Sequence, residues 1–153
     1  MFNTEELKEI KDFIRNSSED SSIYIGTDSK RQKNKKTRYA TVVVIHYGSN
    51  NGAKVFGNIT LEKDIKEKLN RPFQRMMVEC YKTAELYLEL QECFGKRNVE
   101  VHLDIAKDEK YGSSCALSSA MGYIKGVCNV VPISKPAENS FAASIVADKF
   151  VRG

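Results

Sequence analysis

Four acids stand out by position in this 153-residue chain: Asp28, Glu79, Asp104 and Asp148. Asp28 closes the apolar run Ile23-Tyr24-Ile25-Gly26-Thr27 and is followed at once by Ser29 and a densely basic segment. Glu79 interrupts the apolar face of a long helical pattern, and a buried carboxylate needs a partner or a metal. Asp104 lies in an alternating stretch. Asp148 shares a helical face with Phe141, Ser144 and Ile145. Hard divalent cations take oxygen ligands, and Mg²⁺ usually combines one or two carboxylates with waters and substrate phosphate. Four converging acids could hold two such ions about 4 Å apart, one activating water and the other stabilising the leaving oxygen of a phosphodiester. Packed together without metal, they would repel and raise one another's pKa values. Spacing does not bring them together; the elements that carry them must.

Taken in order, residues 3 to 15 read as a helix, with Asn3 or Thr4 as cap, Glu5 and Glu6 in the first turn, and a stripe of Leu7, Ile10, Phe13 and Ile14. A polar connector leads to the Asp28 strand, where Tyr24, Gly26 and Asp28 take one face and Ile23, Ile25 and Thr27 the other. Tyr39 to Tyr47 is rich in β-branched residues and reads as a strand, as does Ala53 to Thr60 beyond a Gly/Asn/Ser turn cluster. These three strands make an antiparallel meander. Leu61 to Asn70 is mixed and charged, a short helix or lid. The longest helical pattern then runs from Arg71-Pro72 to about Phe94. Its stripe is Phe73, Met76, Met77, Cys80, Ala84, Tyr87 and Leu88, with Glu79 set among Met76, Thr83 and Leu86. The same helix also offers Glu85. Asn98 to Ala106 alternates, with Val99, Val101, Leu103 and Ile105 on one face and Glu100, His102 and Asp104 on the other. The long helical crossover places this strand beside the first and parallel to it, so that Asp28 and Asp104 become neighbours. Residues 113 to 126 read as a helix and 129 to 133 as a strand, which Pro132 assigns to a sheet edge. A last helix spans about 139 to 150.

The length suits one domain, 1–153, of which residues 1–22 are the N-terminal helix and connector. No apolar run approaches a membrane span and no signal peptide opens the chain, so a cytoplasmic location and no membrane partner are expected. The net charge of +4 is modest, so its placement matters more than its total. Lys30, Arg31, Lys33, Lys35, Lys36 and Arg38 concentrate positive charge between Asp28 and the second strand, either as a solvated hairpin loop or as a phosphate-binding finger. Cys80, Cys93, Cys115 and Cys128 form no Cys-x-x-Cys pair, and Cys80 and Cys93 stand about 20 Å apart along one helix. They read as reduced and mostly buried thiols.

The Ile23–Ser29 stretch resembles the opening motif of the YkuK-like family of ribonuclease H-like proteins of bacteria and their phages. His102-Leu103-Asp104-Ile105 resembles its second motif, and Lys135-Pro136-Ala137 followed by Ala147-Asp148 its C-terminal one. The resemblance covers the chain from Ile23 onward. It implies an α/β ribonuclease H-like fold, a mixed five-stranded sheet with three antiparallel strands and then parallel ones, flanked by helices. It also implies Asp28, Glu79, Asp104 and Asp148 as catalytic ligands of two Mg²⁺ or Mn²⁺ ions, with Asp28 bridging. The expected activity is nuclease, and the expected partner is nucleic acid of unspecified type. The basic segment, His102 and Lys135 are the candidate substrate contacts, although His102 suits a structural hydrogen bond equally well. The rivals are a non-catalytic nucleic-acid-binding or adaptor domain on the same fold and a metal-dependent enzyme acting on a small phosphorylated molecule. Retention of four acids disfavours the first, and the basic segment disfavours the second.

Overall fold

A capping box opens the first helix. Asn3 Oδ1 accepts the Glu6 amide at 2.8 Å, and Glu6 Oε1 accepts the Asn3 amide at 3.0 Å. Two orphan donors are met reciprocally, and α1 (Thr4–Asn16) turns Ile10 and Ile14 into the core. The computed structural model describes residues 1–48, 52–67, 72–106 and 112–135. Strands β1 (Ser22–Arg31), β2 (Lys36–His46) and β3 (Ala53–Lys63) follow as an antiparallel meander. The crossover helix α2 (Phe73–Leu90) leads through a 3₁₀ turn to β4 (Asn98–Ala106), which pairs parallel with β1. After α3 (Leu117–Cys128), the short β5 (Ile133–Lys135) pairs parallel with β4, and the sheet order is β3-β2-β1-β4-β5. The fold is the mixed five-stranded α/β arrangement that the sequence implied. No described helix is long and apolar enough to cross a membrane.

Strand alternation divides the sheet into two faces. Ile23, Ile25, Val43, Ile45, Val101, Leu103 and Ile105 form one core with Ile10 and Ile14, the buried side of α2, and Ala120 and Ile124 of α3. Each such side chain fully removed from water contributes about 1.5–3 kcal/mol. Ala40, Val42 and Val44, on the face that carries Asp28, are buried as well. All four cysteines are free thiols, with Cys80, Cys93 and Cys128 buried and Cys115 partly so.

A short polar ladder fixes α2 on this sheet. Thr27 Oγ1 lies 2.8 Å from Thr83 Oγ1 and 3.1 Å from Thr41 Oγ1, and the next inward hydroxyl of β1, Ser29 Oγ, donates to Glu79. Two residues along a strand cover about 6.7 Å and four along a helix about 6 Å. Thr27 and Ser29 can therefore meet Thr83 and Glu79 together.

Several boundaries differ from the sequence reading. Strand β1 continues three residues past Asp28, and β2 begins at Lys36, because the ladder persists through Lys30↔Arg38 and Arg31↔Thr37. The basic segment is thus two strand ends joined by residues 32–35. Strand β3 runs on to Lys63, and residues 64–67 form no helix but fold against the hairpin, with the Asp64 amide donating to Lys35 O at 3.0 Å. Leu88 is 41% exposed, since one residue beyond Tyr87 turns about 100° around a helix. The last strand starts after Pro132 rather than at Asn129. Asn129 takes a left-handed conformation (φ 58°) that ends α3, and β5 lies at the sheet edge as Pro132 required. Asp148 and its helical pattern lie outside the described residues.

Helix α2 has no side-chain cap at its Pro72 N-cap. Glu67 serves instead: its Oε1 accepts the Gln74 amide at 2.7 Å and its Oε2 the Arg75 amide at 3.0 Å. A carboxylate there meets two orphan donors and the positive end of the helix dipole. Glu67→Ala should cost about 1–2 kcal/mol, read as a lower urea midpoint with an unchanged m-value. Lys66→Ala serves as the neighbouring surface control.

Candidate active site

The β1–β4 register ends at Thr27↔Leu103, so Asp28 and Asp104 are the next residues on two parallel strands, at their carboxyl ends. In open α/β sheets this is where ligands gather. Asp104 also sits where β4 loses register with β5, between Leu103 and Ala106; such bulges re-aim side chains beside active sites. Asp28 is 8% exposed, and its Oδ1 accepts the Ser29 amide at 2.8 Å.

Glu79 reaches this region from α2 and is 4% exposed. Burial first, and then the charge of Asp28, push its carboxyl well above the ordinary carboxylate range; Asp104 pushes the same way. The Ser29 hydrogen bond and the Arg75 charge pull it back without offsetting the rise. Two of the other candidate acids, Asp28 and Asp104, therefore act on Glu79. Of the two acids offered by the helix, Glu79 is buried beside Ser29 and Glu85 is exposed. Among the described residues, no three His, Cys, Asp or Glu side chains form a group that could hold a metal ion as they stand.

Two further residues bear on Glu79 that the sequence reading passed over. Arg75 Nη1 donates to Ser29 Oγ at 3.1 Å and to Ser29 O at 3.3 Å. Ser29 Oγ in turn donates to Glu79 Oε2. The available signal was the Arg75/Glu79 i,i+4 spacing, which sets both on one helix face, together with the position of Ser29 next to Asp28.

His102 is 1% exposed, stacks on Tyr24 (centroids 5.2 Å apart, planes at 23°) and places Nε2 3.2 Å from Glu100 Oε1. A ring so buried offers no face to a polymer, and the structural hydrogen-bonding role is the one that fits. Burial lowers its pKa against the pull of Glu100. Lys135, described by its backbone alone, pairs with Ala106 at the same end of the sheet.

The basic residues separate by face. Arg31 turns to the α2 side, where Nη2 donates to Ile65 O at 3.2 Å and stands 4.0 Å from Glu67 Oε2. It is a clamp on the connector. Lys30 and Arg38 pair on the Asp28 side, next to Leu61. There, Gln32, Lys33, Asn34, Arg38, Ile59 and Leu61 line a groove of about 660 Å³. Leu61 is 59% exposed, while Arg38 Nε is buried with no hydrogen-bond partner among the described residues. Lys33, Lys35 and Lys36 are exposed around the hairpin tip.

The raised Glu79 pKa gives a pH dependence of definite sign. Between its unfolded and folded values, the native protein keeps a proton that the unfolded chain releases, so this contribution to stability falls as pH rises through that interval. In metal-free buffer at about pH 8, Glu79→Gln should melt higher than wild type, by about 2–4 °C per kcal/mol relieved. The gap should close toward about pH 3, below the unfolded value, where wild-type Glu79 is protonated in both states. Thermal melts with chelator across this range provide the check.

A family model described as ribonuclease H-like matches residues 5–152. Comparison with curated proteins finds no match. The match spans nearly the whole chain and agrees with the observed sheet order, with β1 central and its parallel partner entering after the long crossover helix. The chain belongs to the ribonuclease H-like family of YkuK type.

Proposed function

We propose that the protein is a metal-dependent nuclease. The observation that carries this reading is Glu79, a buried acid whose charge is opposed both by burial and by Asp28 of β1 and Asp104 of β4, just beyond the point where the two strands part. Such a grouping is costly without a cation and favourable with one. The donor set is all carboxylate, which suits Mg²⁺ or Mn²⁺ rather than a softer metal. Asp28, Glu79 and Asp104 would hold the ions, with Asp148 as the fourth candidate ligand. When bound, a pair of such ions supplies an activated water and neutralises the leaving oxygen.

The chain's own residues supply placement. The groove of Lys33, Arg38, Ile59 and Leu61 opens on the Asp28 side of the hairpin. It supports a path for the substrate backbone in which the cations take phosphate and the apolar side chains take sugar or base faces. Phosphate contacts position a strand without reading its sequence, so DNA, RNA, hybrid and branched substrates all belong in the assay. Lys30, exposed on the same face, and Lys135 would extend this path; Arg31 and His102 have structural duties instead.

One observation favours a second reading, a non-catalytic nucleic-acid-binding domain: the described acids do not form a ready three-ligand group. Turnover separates the two. Asp104→Asn should abolish Mg²⁺- or Mn²⁺-dependent cleavage while folding is retained, and Glu85→Gln, on the exposed side of α2, should cut like wild type. A wild-type protein that binds but cuts no single-stranded, duplex, hybrid or junction substrate would select the binding domain. Equal cutting by Asp104→Asn would remove the catalytic assignment.

Replacing Lys33, Lys35 and Lys36 together with alanine should weaken binding and reduce the slope of log K against log salt, by about 3 at most if each contacts one phosphate. A slope that does not move makes the hairpin tip a solubility feature.

A further inference from the structure

We infer that Ser29 and Arg75 are positioning residues that set the spacing and orientation of two candidate ligands, Asp28 and Glu79. The inference rests on the nuclease reading, but it concerns residues outside the ligand set. Ser29 touches both acids. Its amide donates to Asp28 Oδ1 at 2.8 Å, and its hydroxyl donates to Glu79 Oε2. One residue of β1 thus links a carboxylate on its own strand to a carboxylate on the helix packed across it.

Arg75 gives this link a direction. A guanidinium can only donate, and a serine hydroxyl has a single proton. With Arg75 Nη1 donating to Ser29 Oγ at 3.1 Å and to Ser29 O at 3.3 Å, and with an ionised Glu79 able only to accept, the hydroxyl proton goes to Glu79. Oε2 is then the acceptor, and Oε1, which takes no hydrogen bond among the described residues, is the oxygen available to a cation. Ser29 is 9% exposed and Glu79 4%, so water competes weakly for either group. Arg75 is itself held at the first turn of α2, where its amide donates to Glu67 Oε2 at 3.0 Å. The chain of contacts therefore runs Glu67, Arg75, Ser29, Glu79, with Asp28 attached at Ser29.

Partners outside the ligand shell typically contribute 10- to 100-fold in metal affinity. Ser29→Ala removes the hydroxyl but keeps the amide, and Arg75→Gln removes the charge-assisted donor from a partly exposed side chain. Titration of each purified full-length variant with Mn²⁺, followed by the loss of the free-ion paramagnetic resonance signal, reads affinity without any substrate. Ser29→Ala and Arg75→Gln should each bind Mn²⁺ about tenfold more weakly, with urea midpoints measured in chelator to separate this from lost stability. Ser29→Thr, which restores the hydroxyl on a β-branched side chain suited to a strand, should return affinity to within about threefold of wild type, still below the tenfold loss. A structural role would not require that rescue to follow the hydroxyl. Glu79→Gln is the reference arm. If it loses Mn²⁺ while Ser29→Ala and Arg75→Gln both keep wild-type affinity, the positioning role is overturned and the ligand assignment stands. If Glu79→Gln binds Mn²⁺ like wild type, or wild type binds none, the ligand assignment fails and the positioning role falls with it.

Discussion

The registration of α2 on β1 is the constraint from which the candidate site follows. Thr27 meets Thr83 and Ser29 meets Glu79 because two strand residues and four helix residues advance by nearly the same distance. The contact is polar within an otherwise apolar layer. Apolar surfaces slide at low cost, whereas misplacing these hydroxyls would bury them unpaired at about 1–3 kcal/mol each. A slip of one residue along β1 would also exchange its faces. Ile23 and Ile25 would leave the core, and Asp28 would turn into it. Hydrophobic alternation and the hydroxyl ladder thus enforce the same register, and that register delivers Glu79 to the strand end.

Electrostatics then divides the sheet end into two regions. Acids gather where β1 and β4 part, and burial makes the charge of Glu79 costly. Cationic side chains gather on the hairpin that extends beyond them, with Lys33 and Arg38 lining a groove partly floored by Ile59 and Leu61. A polyanion is attracted to the second region and repelled by the first unless a cation intervenes. On the proposed nuclease reading, a divalent ion would resolve both problems, because it would compensate the acids and take phosphate oxygen as a ligand. The same separation explains why the six basic residues do not act alike. Alternation along β1 sends Arg31 to the helix side, where Glu67 and Ile65 engage it, and keeps Lys30 on the Asp28 side.

Glu67 joins these features. Its carboxylate closes the open N-terminus of α2 and lies near Arg31 of the hairpin. A segment with no regular structure thereby ties the hairpin to the helix that carries Glu79. The hairpin tip is tied to the same segment through Lys35 O and the Asp64 amide, and Thr37 Oγ1 donates to Asp64 Oδ1 at 2.6 Å. The cationic groove and the acidic strand end are held by one connector.

Much of this was legible in the sequence because it follows from periodicity. Period-two alternation fixed the inward faces of Ile23 to Thr27 and of Val99 to Ile105, and the helical stripe marked Glu79 as an acid within a buried surface. The crossover length required β4 to lie parallel to β1. Strand ends were less legible, since Lys30, Arg31 and Lys36 have the composition of a loop yet pair as strands once a neighbour supplies the ladder. Only the tertiary structure decided which partners the polar groups find. Ser29, Arg75 and Glu67 are ordinary residues by pattern, and their roles come from contacts across 50, 46 and 8 residues of chain. Periodicity reports which way a side chain faces. It carries no information about what waits there, because that depends on how two elements register in space.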